Sequence, residues 1–216
     1  RLVFHECALV GNLAGALAVT GGEVQIEDGV LANNSVPGGR GGPVFASGGV
    51  VTVQRCNLTN NVAQHGGAVR MQGDATAHID GSLVTRNIAT VAGGAISLAG
   101  GQLVLSAGAL LQDNSEPSVV QNGAKLQYRL PAPDGRWIDA PGGSTQNLEQ
   151  GVAGDFPFAC APGVFGRAND TKGQSTPSCS GFCLAGYLCS GATVEPEPCP
   201  EASFCPVGSA ALTPCP

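Results

Sequence analysis

An asparagine returns at Asn34, Asn61, Asn87 and Asn114, in steps of 27, 26 and 27 residues, with a fainter start at Asn12. Each sits in a fixed frame. Leu9, Leu31, Leu58, Val84 and Leu111 stand three residues before, and the small residues Cys7, Gly29, Cys56, Ser82 and Ala109 five before. Phe4, Ile26, Val53 and Ile79 form a further apolar column, with Leu105 displaced by one position. Columns of like residues at one period mark stacked repeats, in which a unit too small to bury a face alone is covered by its neighbour. Short β-prone runs such as Val24-Gln25-Ile26, Val51-Thr52-Val53 and Leu103-Val104-Leu105 read as strands between Gly and Asn turns. A unit of roughly 26 residues is thus expected to hold three short strands and three turns. Asn34, Asn61, Asn87 and Asn114 are expected to stack as a buried ladder that hydrogen-bonds turn backbone in the coils on either side.

The stretches NLTNNVAQHGGAVRMQG (57–73) and VTRNIATVAGGAISLAG (84–100) share more than the asparagine. They carry Gly66-Gly67-Ala68-Val69 and Gly93-Gly94-Ala95-Ile96, and Gly41-Gly42-Pro43-Val44 is a degenerate copy. The pattern resembles the right-handed parallel β-helices of the pectin-lyase-like type, whose turns carry asparagine ladders. The Gly-Gly-Ala-(Val/Ile) signature is also similar to the repeat of bacterial polymorphic outer-membrane proteins. The resemblance covers roughly residues 1–130. It implies a mostly β chain: a right-handed parallel β-helix of about five coils, followed by a disulfide-rich, irregular extension.

Residues 131–159 lose the period and are rich in Pro and Gly, which suits a capping segment or linker. Trp137 reads either as a lid on the last coil or as one packed aromatic in that linker. From residue 160 to 216 the chain is a cysteine framework of Cys160, Cys179, Cys183, Cys189, Cys199, Cys205 and Cys215, in which Cys183, Cys199 and Cys215 repeat every 16 residues. Apolar residues here are too few for a self-sufficient core, so disulfides are expected to constrain it. Zinc is the rival, but the segment offers one Cys-x3-Cys and no histidine. The segment resembles the ephrin-receptor-like cysteine-rich repeats that follow β-helix regions in large surface proteins of algae and other protists. Seven cysteines cannot all pair among themselves, and Cys215 is the one expected to need a partner outside the segment. Cys7 and Cys56 lie two coils apart, about 10 Å, beyond disulfide reach. They read as free thiols used as small apolar residues.

A net charge of −6 with 10 scattered Lys and Arg argues against nucleic acid as a partner. No run approaches the 18 apolar residues of a membrane span. A disulfide framework and the sequons at Asn33, Asn57 and Asn169 point to glycosylation and an extracellular location, secreted or on a cell surface. Catalysis on a β-helix would need clustered acids. The acids here read as lying in different columns, with Glu27 and Asp28 on opposite faces of a strand. His78 and Asp80 share a face without a third partner. We therefore expect no enzyme activity, no catalytic or metal-binding residues and no cofactor. The expected role is a structural or adhesive module of a large cell-surface protein, or a subunit of a surface filament. The alternative is a glycan-binding or carbohydrate-active β-helix, and a third reading is a receptor ectodomain. The opening RLVF enters a strand directly, so its partners are expected to be copies of itself or neighbouring segments of a longer chain, stacked head to tail, with glycans as further candidates.

Overall fold

The structure, a computed structural model, describes all residues except 39–41, 107, 140–151, 153 and 216. Two compact units are present: Arg1–Arg129 with Gln146–Phe156, and Leu130–Thr145 with Pro157–Pro216. Strands account for nearly all regular structure, and the one helical element among the described residues is a 3-10 turn at Gly173–Ser175. No helix among them is long and apolar enough to cross a membrane.

The first unit is a parallel β-solenoid of about five turns. Its first coil holds β1 (Leu2–His5), β2 (Ala8–Val10) and β3 (Leu17–Val19). The second holds β4 (Glu23–Glu27), β5 (Val30–Ala32), β6 (Ser35–Val36) and β7 (Val44–Ala46). Next come β8 (Val50–Gln54), β9 (Asn57–Thr59), β10 (Val62–His65) and the long β11 (Val69–Asp80). They are followed by β12 (Leu83–Thr85), β13 (Ile88–Ala92) and the long β14 (Ile96–Ser106). The last are β15 (Leu110–Gln112), β16 (Val119–Gln121) and β17 (Lys125–Arg129). These strands form a nine-stranded sheet, a five-stranded sheet ordered β15-β12-β9-β5-β2 and a three-stranded sheet ordered β13-β10-β6.

Register follows the sequence columns. Phe4, Ile26, Val53, Ile79, Leu105 and Tyr128 are successive partners, as are Leu2, Val24, Val51, Ala77, Leu103 and Leu126. Leu105 therefore stands opposite Ile79, and the extra residue of its coil falls in the corner before β15, outside the strand. A full coil holds four strand segments where three were expected. The reason is a bend: β11 pairs first with β7 and then with β8, and β14 with β16 and then β17. Gly101 makes the bend possible, because at φ +77° a Cβ there would stand 2.1 Å from the Ala75 carbonyl oxygen. The core between the sheets is aliphatic, with Ile26, Leu31, Leu58, Met71, Ile79, Ile96, Leu103 and Leu111 fully buried.

The last coil has a cover of its own. Phe156 exchanges both backbone hydrogen bonds with Leu111 (2.8 and 2.9 Å), and Val152 does the same with Val119 (3.1 and 2.9 Å), both antiparallel. The Phe156 ring meets Tyr128 edge-on at 5.5 Å, burying both. Phe156 is thus an aromatic that lies on the last coil within the first unit. Trp137 belongs to the second unit, where its indole N–H donates to the Ala159 carbonyl (3.0 Å) and its ring packs on Phe158.

The second unit is a chain of antiparallel hairpins: β18 (Arg136–Trp137) with β19 (Phe158–Ala159), β20 (Val164–Phe165) with β21 (Gly181–Phe182), β22 (Tyr187–Leu188) with β23 (Glu197–Pro198), and β24 (Ser203–Phe204) with β25 (Thr213–Pro214). They are one repeat. The N–H groups of Gly135, Gly163 and Gly186 donate to the carbonyls of Gly166, Cys189 and Cys205 at 2.8–2.9 Å. Those of Cys160, Cys183, Cys199 and Cys215 donate to Gly135, Gly163, Gly186 and Ala202 at 2.8–3.0 Å. In this frame Ala132 and Ile138, both buried, stand where Cys160 and Gly166 stand one repeat further on and Cys183 and Cys189 two repeats further on. The array thus begins inside the stretch that reads as a linker, with a hairpin whose cysteines are replaced by aliphatic residues.

Candidate functional site

Chemistry-bearing residues gather in the ladder, at one solenoid corner and along the hairpin array. In the ladder the inner asparagines are fully used. The Asn61 Oδ1 accepts from the Asn34 backbone N–H (3.1 Å) and side-chain amide (2.9 Å). Its own amide donates to the Leu31 carbonyl (2.9 Å) and to Asn87 Oδ1 (2.8 Å). Asn34 and Asn87 repeat the arrangement, Asn114 receives the last pair, and Asn12 donates into the first. Both donors and both acceptor sites of a buried amide are thereby satisfied without water. Immediately before the ladder, Asn33, Asn60, Arg86 and Asp113 adopt φ of 52–55°, the left-handed conformation that turns the chain at this corner. Alongside, the Cys56 Sγ accepts from the Gly29 N–H and the Ser82 Oγ from the Cys56 N–H (3.3 and 3.0 Å), so the small-residue column is a second, weaker ladder. Cys7 and Cys56 are both unbridged, and burial pushes the Cys56 thiol above its ordinary pKa.

The acids differ from their sequence reading. His5, Glu27, Gln54 and Asp80 are register partners in one column, and Glu6, Asp28 and Arg55 share the left-handed corner that follows it. A positive φ at Asp28 (53°) breaks the strand alternation, so Glu27 and Asp28 do not point to opposite faces. His5 Nδ1 lies 3.7 Å from Glu27 and 3.6 Å from Asp28, with the ligand atoms of all three within 4.8 Å. Arg55 occupies this corner: it donates two hydrogen bonds of 2.7 Å to Asp28 and lies 3.8 Å from Glu27. That guanidinium holds the Asp28 carboxyl below the usual carboxylate range. Arg55 was legible as Asp28's partner, since each stands six residues before its ladder asparagine. His78 and Asp80 do share the outward face of β11, but Asp80 is engaged by Gln54 (3.2 Å) and Ser106 (2.8 Å), while His78 lies between Thr52 and Val104.

In the second unit Cys160 bonds Cys179, Cys183 bonds Cys189 and Cys199 bonds Cys205, with Cys215 exposed and unbridged. Cys160 takes a distant partner because Gly166 stands where the repeat otherwise has its second cysteine. A Cβ at Gly166 would fall 2.6 Å from the Cys160 sulfur. The intervening insert returns Gln174, buried, whose amide bonds both N–H and carbonyl of Ala132 (3.0 and 2.6 Å). Nothing in the sequence pattern singled out Gln174, Ala132 or Ile138. Phe165, Phe182, Leu184, Tyr187 and Pro196 line an open groove of about 500 Å³ in this unit, and the Arg167 guanidinium lies 5.5 Å over the Phe165 ring. The sequon residues Asn33, Asn57 and Asn169 are all exposed.

No family model, curated protein or solved structure matches the chain. What stands on the geometry is a parallel β-solenoid of about five turns and a cysteine-rich region closed by three disulfides, a redox state that fits a non-cytoplasmic compartment.

Proposed function

We propose that this chain is a non-catalytic extracellular module, an architectural or adhesive segment of a larger cell-surface protein or of a surface filament. The observation that carries this reading is where the polar groups go. The ladder amides bond neighbouring coils, Arg55 holds Asp28, and Asp80 bridges Gln54 to Ser106, so side chains that could act on a ligand brace one layer against the next. Five layers at about 4.8 Å give a stiff spacer of roughly 24 Å. Among the described residues β1, β2 and β3 have a strand partner on one edge only, and a copy or a neighbouring segment would stack on the other; at the opposite end Phe156 and Val152 occupy the edges of β15 and β16. The pectin-lyase-like and ephrin-receptor-like resemblances favour a large surface protein of this kind, with glycans on its sequons.

One observation favours a second reading, a carbohydrate-active or glycan-binding β-helix: the convergence of His5, Glu27 and Asp28. Incubation with pectin and polygalacturonate, with and without calcium, separates the two. No product is expected, and Glu27→Ala, Asp28→Ala, His78→Ala and Asp80→Ala are expected to change nothing. Turnover abolished by any one of these substitutions contradicts the architectural reading.

A further inference from the structure

The five-stranded sheet turns an apolar column outward. Ala8, Val30, Asn57, Leu83 and Leu110 are successive register partners on its strands, while Leu31, Leu58, Val84 and Leu111 point to the interior. Val30 is 37% exposed, and Leu83 and Leu110 are half-buried. On the nine-stranded sheet the matching outward column is Val3, Gln25, Thr52, His78, Val104 and Gln127, polar at its middle three positions and at its last, with Val104 buried. The apolar strip has one polar member, and it stands at the centre. Asn57 is exposed, Leu58 points inward and Thr59 outward, so the sequon Asn57-Leu58-Thr59 delivers an amide to the surface between Val30 and Leu83.

We propose that Asn57 carries an N-linked oligosaccharide whose first sugar rings lie on Val30 and Leu83 and cover this strip. In the covalent step the Asn57 amide nitrogen attacks the anomeric carbon of a lipid-diphosphate-linked oligosaccharide. A C–N bond forms as the C–O bond to the diphosphate breaks, the lipid diphosphate leaves with the electron pair, and the amide proton passes to the transferase's base. The sugar is tethered one layer from each aliphatic neighbour, about 4.8 Å, and the C–H face of a pyranose ring is the apolar surface that suits them. Neither other sequon has such a setting. Asn33 lies at the left-handed corner in line with Asn60, and Asn169 lines a recess with Asp134, Arg167 and Glu195. The proposal rests on the extracellular reading, and the three sequons provide the control that separates the two.

The test is the full chain expressed through a eukaryotic secretory pathway, with site occupancy read by peptide mass spectrometry. Glycans are then released by peptide-N-glycosidase from native and from denatured protein. The Asn57 glycan is expected to be present and to be released from native protein about tenfold more slowly than that on Asn169, as covering roughly 50 Å² of aliphatic surface implies. The two rates should converge after denaturation. A variant carrying Val30→Ser and Leu83→Ser, both outward positions, should release the Asn57 glycan as fast as that on Asn169. Sugar at Asn169 but not at Asn57 overturns this proposal alone, and equal native release rates overturn the covering of the strip. No sugar at any sequon overturns both the proposal and the extracellular reading beneath it.

Discussion

Asn61 shows at the residue scale what one position of the stack holds. Its side chain takes part in four hydrogen bonds with Asn34, Leu31 and Asn87, and the residue has no exposed surface. Asn61→Ala would leave the buried Asn34 N–H without a partner, at about 1–3 kcal/mol, and would take one hydrogen bond each from the Asn34 amide, the Leu31 carbonyl and Asn87 Oδ1. We expect a loss of about 3 kcal/mol or more in urea unfolding, against about 1 kcal/mol or less for Asn12→Ala, which breaks bonds only at the ladder's end. Cys56 sits beside this ladder as a thiol whose pKa burial raises, while the Gly29 and Gln54 hydrogen bonds pull it down. The unfolded chain ionises in the ordinary thiol range near about 8.5, and the folded chain only above that. The contribution to stability is therefore complete below the ordinary thiol pKa and is lost as pH rises through the raised one. Maleimide at pH 8 should label exposed Cys215 and spare Cys56 until the protein is denatured. Labelling both at one rate contradicts the buried thiol.

The element scale shows which parts of the fold were legible. A column in the sequence becomes a register in the sheet, so Phe4, Ile26, Val53 and Ile79 could be read before the structure, whereas Leu105, read as displaced, stands in register and Tyr128 extends the column. The bends within β11 and β14 could not, because a glycine that preserves pairing through a bend is written the same way as one that ends a strand. The charged corner was misread for a related reason. Strand alternation was carried one residue too far, into a left-handed Asp28. The hairpin array was legible only where its cysteines are present. Its first member uses Ala132 and Ile138 at those positions, which look like linker residues until the backbone hydrogen bonds place them in frame. This equivalence has a direct test. Replacing Ala132 and Ile138 together by cysteine should form a bridge, since the same frame spans 6.2 Å at Cys183–Cys189 and 6.0 Å at Cys199–Cys205 between Cα atoms. Intact mass should fall by the two hydrogens lost, and the closed loop should add about 2 kcal/mol. A doubly reduced product under oxidising conditions means that the positions are not equivalent.

On the scale of the whole molecule, two repetitive units share one chain and differ in what holds them. The solenoid has no disulfide among its described residues and depends on aliphatic columns and the ladder, whereas the hairpin array has little core and depends on three disulfides. Each propagates by nearest-neighbour contacts, the linear logic on which the proposed architectural role rests. The composition (12% charged residues and 33 glycines) serves stacking better than it serves a catalytic cleft. The central claim is tested most directly by electron cryo-microscopy of the protein in its native assembly. The result we expect is a surface-associated fibre or large particle in which solenoid layers about 4.8 Å apart meet a neighbouring segment or copy at the edges of β1, β2 and β3. Dispersed single copies, with those edges facing solvent, would contradict it.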